Sequence, residues 1–130
     1  MEITIYTLID LFVATKQTEG NSPRTIGWYK NTLVKFGDYL GNGSEATLAD
    51  CTLENARAFV ASLQQRTTRY ENHHLRPLEE GGLSPFTILG FVRALKTFST
   101  WLFEEGFTNR SMLERLKRPK VPEPIIEILS

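Results

Sequence analysis

The stretch from Ser84 to Leu102 constrains this chain more than any other. Ser84 offers a side-chain oxygen to the free N–H groups of a helix start, and Pro85 suits the first helical position. Ile88, Phe91, Val92, Leu95, Phe98 and Leu102 then recur at helical spacing, while Arg93, Thr97 and Thr100 face away from that arc. This is a helix of about five turns with one apolar face. Each large side chain on that face gains roughly 1.5–3 kcal/mol from burial, so the rest of the chain has to cover it.

The cover is helical too. Ser22-Pro23 repeats the entry signal, and Ile26, Tyr29, Leu33, Phe36 and Leu40 fall within one arc, with Arg24, Asn31 and Lys35 opposite, beside Trp28 and Tyr39. Gly41-Asn42-Gly43 breaks this helix. An earlier helix is predicted from Thr7, with an extension back to Ile3 left open and Asp10 as its capping-box partner; it turns Leu8, Leu11 and Phe12 inward and ends at Glu19-Gly20-Asn21. Another is predicted from Thr52, burying Ala56, Phe59, Val60 and Leu63, with Leu48 anchoring the connection before it. No segment combines period-two alternation with hairpin chemistry. With 130 residues and 41% hydrophobic content, the expectation is one all-α, four-helix domain.

Several segments carry weaker signals. Arg66 to Gly82 shows no apolar period, ends in a glycine pair and reads as a long loop. Glu104-Glu105-Gly106-Phe107 ends the last long helix, a short helical turn is expected around Ser111 to Leu116, and Pro119, Pro122 and Pro124 hold the chain extended as an exit linker. Cys51 is the only cysteine, so it forms no disulfide within the chain and reads as a buried or half-buried thiol. No apolar run reaches membrane-spanning length and the first residues lack the regions of a secretory signal, which predicts a cytoplasmic protein without a membrane partner.

Three motifs in this order resemble the core-binding domain of the tyrosine recombinases, the phage-integrase family. They are the paired starts Ser22-Pro23-Arg24-Thr25 and Ser84-Pro85-Phe86-Thr87; the stretch Leu95-Lys96-Thr97-Phe98-Ser99-Thr100-Trp101-Leu102-Phe103-Glu104-Glu105-Gly106; and the basic, proline-bearing Leu116-Lys117-Arg118-Pro119-Lys120-Val121-Pro122. The resemblance covers about Thr7 to Pro122. It implies a SAM-like bundle over residues 1–118, then 119–130 as a linker in which Ile125-Ile126-Glu127-Ile128-Leu129 opens a catalytic domain lying downstream.

The family's catalytic arginine, lysine, His-x-x-Arg pair and nucleophilic tyrosine belong to that other domain, so no catalysis is expected of this chain. His73-His74-Leu75-Arg76 spells His-x-x-Arg, but in a polar loop with no tyrosine after it. Adjacent loop histidines also make poor metal ligands. Neither a metal nor a cofactor is expected.

What the resemblance implies is a grip on double-stranded DNA, beside other recombinase protomers and without a small-molecule substrate. Lys and Arg neutralise phosphates, and helix starts add free N–H groups. The expected contacts are Arg24, Thr25, Lys30 and Lys35 on one helix, Ser84, Thr87, Arg93, Lys96 and Thr97 on the other, and Lys117, Arg118 and Lys120 on the exit segment. For each, an ordinary solvated helix face is the competing reading. Trp28, on a polar face, fits a sugar contact, a subunit contact or packing under the long loop.

Charge cuts both ways. Lys and Arg number 15 and Asp and Glu 15, a net charge of zero, where DNA-binding domains are usually basic. From Ser84 to Lys120, however, seven basic residues face three acidic ones, a surplus of four. A helical protein-interaction module is the alternative that zero net charge favours.

Overall fold

The computed structural model describes residues 3–41, 45–71 and 83–120, with the backbone alone for 66–71. It is an all-α bundle of four helices: α1 (Ile5–Thr18), α2 (Pro23–Gly41), α3 (Leu53–Glu71) and α4 (Pro85–Glu104). A single 3-10 turn, Leu48–Asp50, precedes α3. Among the described residues the extended pairing is one antiparallel bridge, Thr4 with Thr47. There Ile5 N–H donates to Ala46 O at 2.9 Å and Leu48 N–H to Ile3 O at 3.0 Å, tying the start of α1 to the α2–α3 connection.

One capping device starts three of the helices. The hydroxyls of Thr4, Ser22 and Ser84 accept the amide N–H groups of Thr7, Thr25 and Thr87 at 3.3, 3.2 and 3.1 Å. Each is also within 3.0–3.1 Å of that threonine's own hydroxyl. Thr52 caps α3 through Asn55 N–H at 3.1 Å. Each bond satisfies one of the N–H groups that a helix start leaves without an internal partner.

Packing follows the apolar arcs. α1 lies on α2, while α4 packs against both α2 and α3. Phe12 is the hub: its fully buried ring meets Tyr29, Phe98 and Trp101 edge-on, at centroid distances of 5.1, 5.5 and 5.5 Å. Phe59 joins α3 to Phe36 and Phe91 at 5.3 and 5.7 Å. The six apolar positions read on α4 and the four on α3 are all buried.

Three expectations need correction. α1 begins at Ile5 with Thr4 as its cap, so Thr7 answers the cap and Asp10 is an exposed residue further along the helix. Ile5 and Ile9 are buried beside Leu8 and Phe12, and this arc leaves Leu11 45% exposed, against the expectation that it faces inward. Second, α3 continues through Glu71, into the segment expected to be a loop. Arg66 to Glu71 lacks an apolar period but also lacks any Gly or Pro to stop a helix already under way. Third, residues 111–116 form hydrogen-bonded turns rather than a helix, with Glu114 N–H on Ser111 O at 3.2 Å and Leu116 N–H on Leu113 O at 3.0 Å. The rest of the expected loop, with His73, His74 and Arg76, and the segment from Val121 onward lie outside the described residues.

Candidate nucleic-acid interface

The two Ser-Pro helices bring one polar face each to a common surface. On α2, Arg24, Trp28, Asn31 and Lys35 are all exposed and lie within one stripe, as their helical spacing requires. On α4, exposed Phe86, Arg93 and Thr100 share a stripe with half-buried Gly90 and Thr97. The helices join where Trp28 crosses to Gly90: a Cβ on Gly90 would sit 3.4 Å from Trp28 Cζ2. Nearby, Lys35 Nζ is 6.0 Å from the Phe91 ring centroid, within reach of its π face. Trp28 thus packs against α4 through part of its ring and remains 42% exposed.

The expected contact residues divide by environment. Arg24, Lys30, Lys35, Ser84, Thr87, Arg93, Lys117, Arg118 and Lys120 are exposed, whereas Thr25, Lys96 and Thr97 are half-buried. Ser22 and Ser84 serve as caps, and Thr25 and Thr87 lend their hydroxyls to the same caps. Lys30 is exposed but lies outside the Arg24–Lys35 stripe, about 120° further round α2 at 3.6 residues per turn. Lys96 is engaged elsewhere: its ammonium donates to Glu114 O at 3.0 Å and Leu116 O at 2.6 Å.

Beyond Arg93, the α4 surface opens into a crevice of about 400 Å³ lined by Lys16, Glu19, Lys96, Thr97, Thr100, Trp101, Glu104 and Arg118. It brings α4 and the exit segment together with Lys16 of α1, a residue that the sequence did not single out. Lys16 forms an ion pair with Glu19 at 3.2 Å and lies 5.4 Å from the Phe12 ring centroid. Nothing in the local pattern of α1 marks it, because only tertiary packing sets it beside residues more than a hundred positions later in some cases. Among the described residues, no ion pair involves Arg24, Lys35, Arg93, Lys117, Arg118 or Lys120. Among the described residues, no carboxylate within bonding distance compensates their charge.

The perturbed titrating groups lie away from this surface. Tyr6 donates to Asp38 at 2.5 Å across the α1–α2 interface, and that bond, with some burial and the charges of Asp38 and Glu45, raises its pKa. Burial pushes the Cys51 thiol up to about 12. No group of three or more His, Cys, Asp or Glu is placed to hold a metal ion among the described residues. No described helix is long and apolar enough to cross a membrane.

The chain is similar in sequence to a tyrosine recombinase. It is 30% identical over 118 residues to tyrosine recombinase XerC of Oceanobacillus iheyensis, an overlap covering 90% of this chain and 34% of that protein. The resemblance to the tyrosine recombinases is thereby borne out. The chain spans about a third of the length of this relative. No family model matches the chain, and neither does any solved structure.

Proposed function

We propose that this chain is the core-binding domain of a tyrosine recombinase and grips duplex DNA for a catalytic domain supplied elsewhere in the protein. The observation that carries this reading is the seam between α2 and α4. Trp28 over Gly90 joins the stripe of Arg24, Asn31 and Lys35 to that of Arg93 and Thr97, with the three cations free of ion pairs among the described residues. The similarity to a recombinase over nine-tenths of the chain points the same way.

On this reading Arg24, Lys35 and Arg93 take phosphates, and Lys117, Arg118 and Lys120 extend the contact along the backbone. Such bonds fix register and orientation without reading sequence. Asn31 adds a side-chain amide to the stripe, a group able both to donate and to accept at an adenine edge. The chain itself contributes no catalytic group; strand cleavage and rejoining belong to the other domain. Further protomers bind the same DNA beside it.

The test is duplex binding measured across a salt series. Six phosphate contacts imply a slope of about −5 in log K against log salt. Arg24→Glu with Arg93→Glu should flatten that slope and weaken binding while the helical circular-dichroism signal is retained. A chain that fails to retard duplex at low salt, yet still folds, would refute the proposal and favour a protein-interaction module instead.

A further inference from the structure

We infer that Lys96 and Ser99 are positioning residues: together they dock the 111–116 turns onto α4 and so fix where the basic run Lys117-Arg118-Pro119-Lys120 departs. The consequence for DNA rests on the function proposed above; the dock itself does not.

Four bonds define the dock. Ser99, only 1% exposed, accepts the Leu113 N–H at 2.8 Å, and its hydroxyl lies 3.1 Å from that of Ser111. One turn earlier on α4, Lys96 donates to the carbonyls of Glu114 and Leu116. An ammonium has three N–H donors and no acceptor, so two of the three are committed to the backbone. Bonds from a charged donor are stronger than neutral ones, and the acceptors are carbonyls that a turn leaves without internal partners. Leu113 and Leu116, 0% and 2% exposed, fill the core between these polar points.

The segment before Lys117 is therefore held at both faces, apolar below and hydrogen-bonded to α4 above. Lys117 follows the buried Leu116 directly, and Arg118 reaches the crevice that Lys16 and Lys96 also line. The basic run thus starts from a fixed point beside the Arg93 stripe and continues that surface. A tether from Lys96 also assigns its charge: it serves the turn, and it is not one of the phosphate ligands.

Ser99 makes the inference testable, because a buried neutral residue cannot touch DNA. Ser99→Ala strands the Leu113 N–H, and Lys96→Met keeps the aliphatic stem while deleting the ammonium. Hydrogen exchange on the free protein should show the Leu113 and Leu116 amides exchanging about tenfold faster in either variant, with α1 to α3 unchanged. Unchanged exchange in both variants would overturn the dock, whatever happens with DNA.

Binding to a random-sequence duplex then reads the consequence. Each variant should weaken binding about threefold to tenfold in the wild-type background. Neither should weaken it further in Lys117→Ala/Arg118→Ala/Lys120→Ala, because the effect acts through that run. Equal losses from Lys96→Met in both backgrounds, with Ser99→Ala silent, would make Lys96 a direct phosphate ligand and overturn the assignment. If wild-type protein binds no duplex at low salt, the functional proposal fails, and the exchange data still decide the dock.

Discussion

Two glycines in α2 should respond with opposite sign to the same substitution. At Gly27, a Cβ meets nothing within 4 Å. Gly27→Ala therefore yields the helix-propensity difference, about 0.8–1 kcal/mol of stabilisation, or about 3–5 °C in Tm for a chain of this size. At Gly37 the same Cβ would sit 3.1 Å from Tyr6 Cε1 and 3.2 Å from Ile5 Cγ2. Neither neighbour can easily yield: Ile5 is fully buried, and the Tyr6 ring is anchored by its bond to Asp38. Overpacking of this kind costs about 1–3 kcal/mol, so Gly37→Ala should lose the propensity gain and up to about 2 kcal/mol more. Thermal unfolding followed by far-UV circular dichroism compares the two directly. If Gly37→Ala raises Tm as much as Gly27→Ala, the close approach of α1 and α2 does not constrain position 37.

Other substitutions probe the caps, the hub and the thiol. Ser84→Ala removes the acceptor for Thr87 N–H and should cost about 1 kcal/mol, seen as a lower urea midpoint with an unchanged m-value. Phe12→Ala empties the ring contacts among α1, α2 and α4, and a loss of about 3–5 kcal/mol in urea unfolding is expected. For Cys51, the folded pKa of about 12 stands above the ordinary 9.0, so its stabilisation is complete below pH about 9 and is lost as pH rises from there towards 12. Wild-type stability should therefore fall by about 1.4 kcal/mol per pH unit more steeply than that of Cys51→Ala above pH about 9; parallel curves would refute the burial argument. On the proposed function the isolated chain should bind duplex weakly, since its charges sum to zero. Nanomolar binding at physiological salt would contradict that.

The fold was legible wherever a start signal stood next to an apolar period. Ser22-Pro23 and Ser84-Pro85 placed α2 and α4 correctly at their first turns, because a capping oxygen followed by proline needs no tertiary context to act. The start of α1 is less legible for a related reason. Thr4 and Thr7 stand in the same Ser/Thr-x-x-Thr relation as the caps of α2 and α4, but no proline follows Thr4 to mark it. Leu11 reads as inward beside Leu8 and Phe12, but Ile5 and Ile9 complete the buried arc on the other side of that pair and leave Leu11 outside it. The end of α3 is not legible because an absent apolar period does not stop a helix, which ends where a breaker or an alternative partner ends it.

The candidate site was legible as two helix faces and not as a surface. That Arg24, Lys35 and Arg93 point away from the core follows from their spacing. That they share one surface follows only from Trp28 meeting Gly90. Lys96 shows why helix spacing alone cannot assign a cation's role. On the wheel it sits at the edge of the polar face of α4, as a phosphate ligand would, yet its acceptors lie 18 and 20 residues further along the chain. A backbone carbonyl is invisible to sequence pattern, since every residue carries one. Which carbonyls lack a partner depends on where the turns fall, and the turns at 111–116 are placed by Leu113 and Leu116 entering the core. The same apolar contacts that close the bundle therefore decide which of its cations remain free to meet an anion from outside.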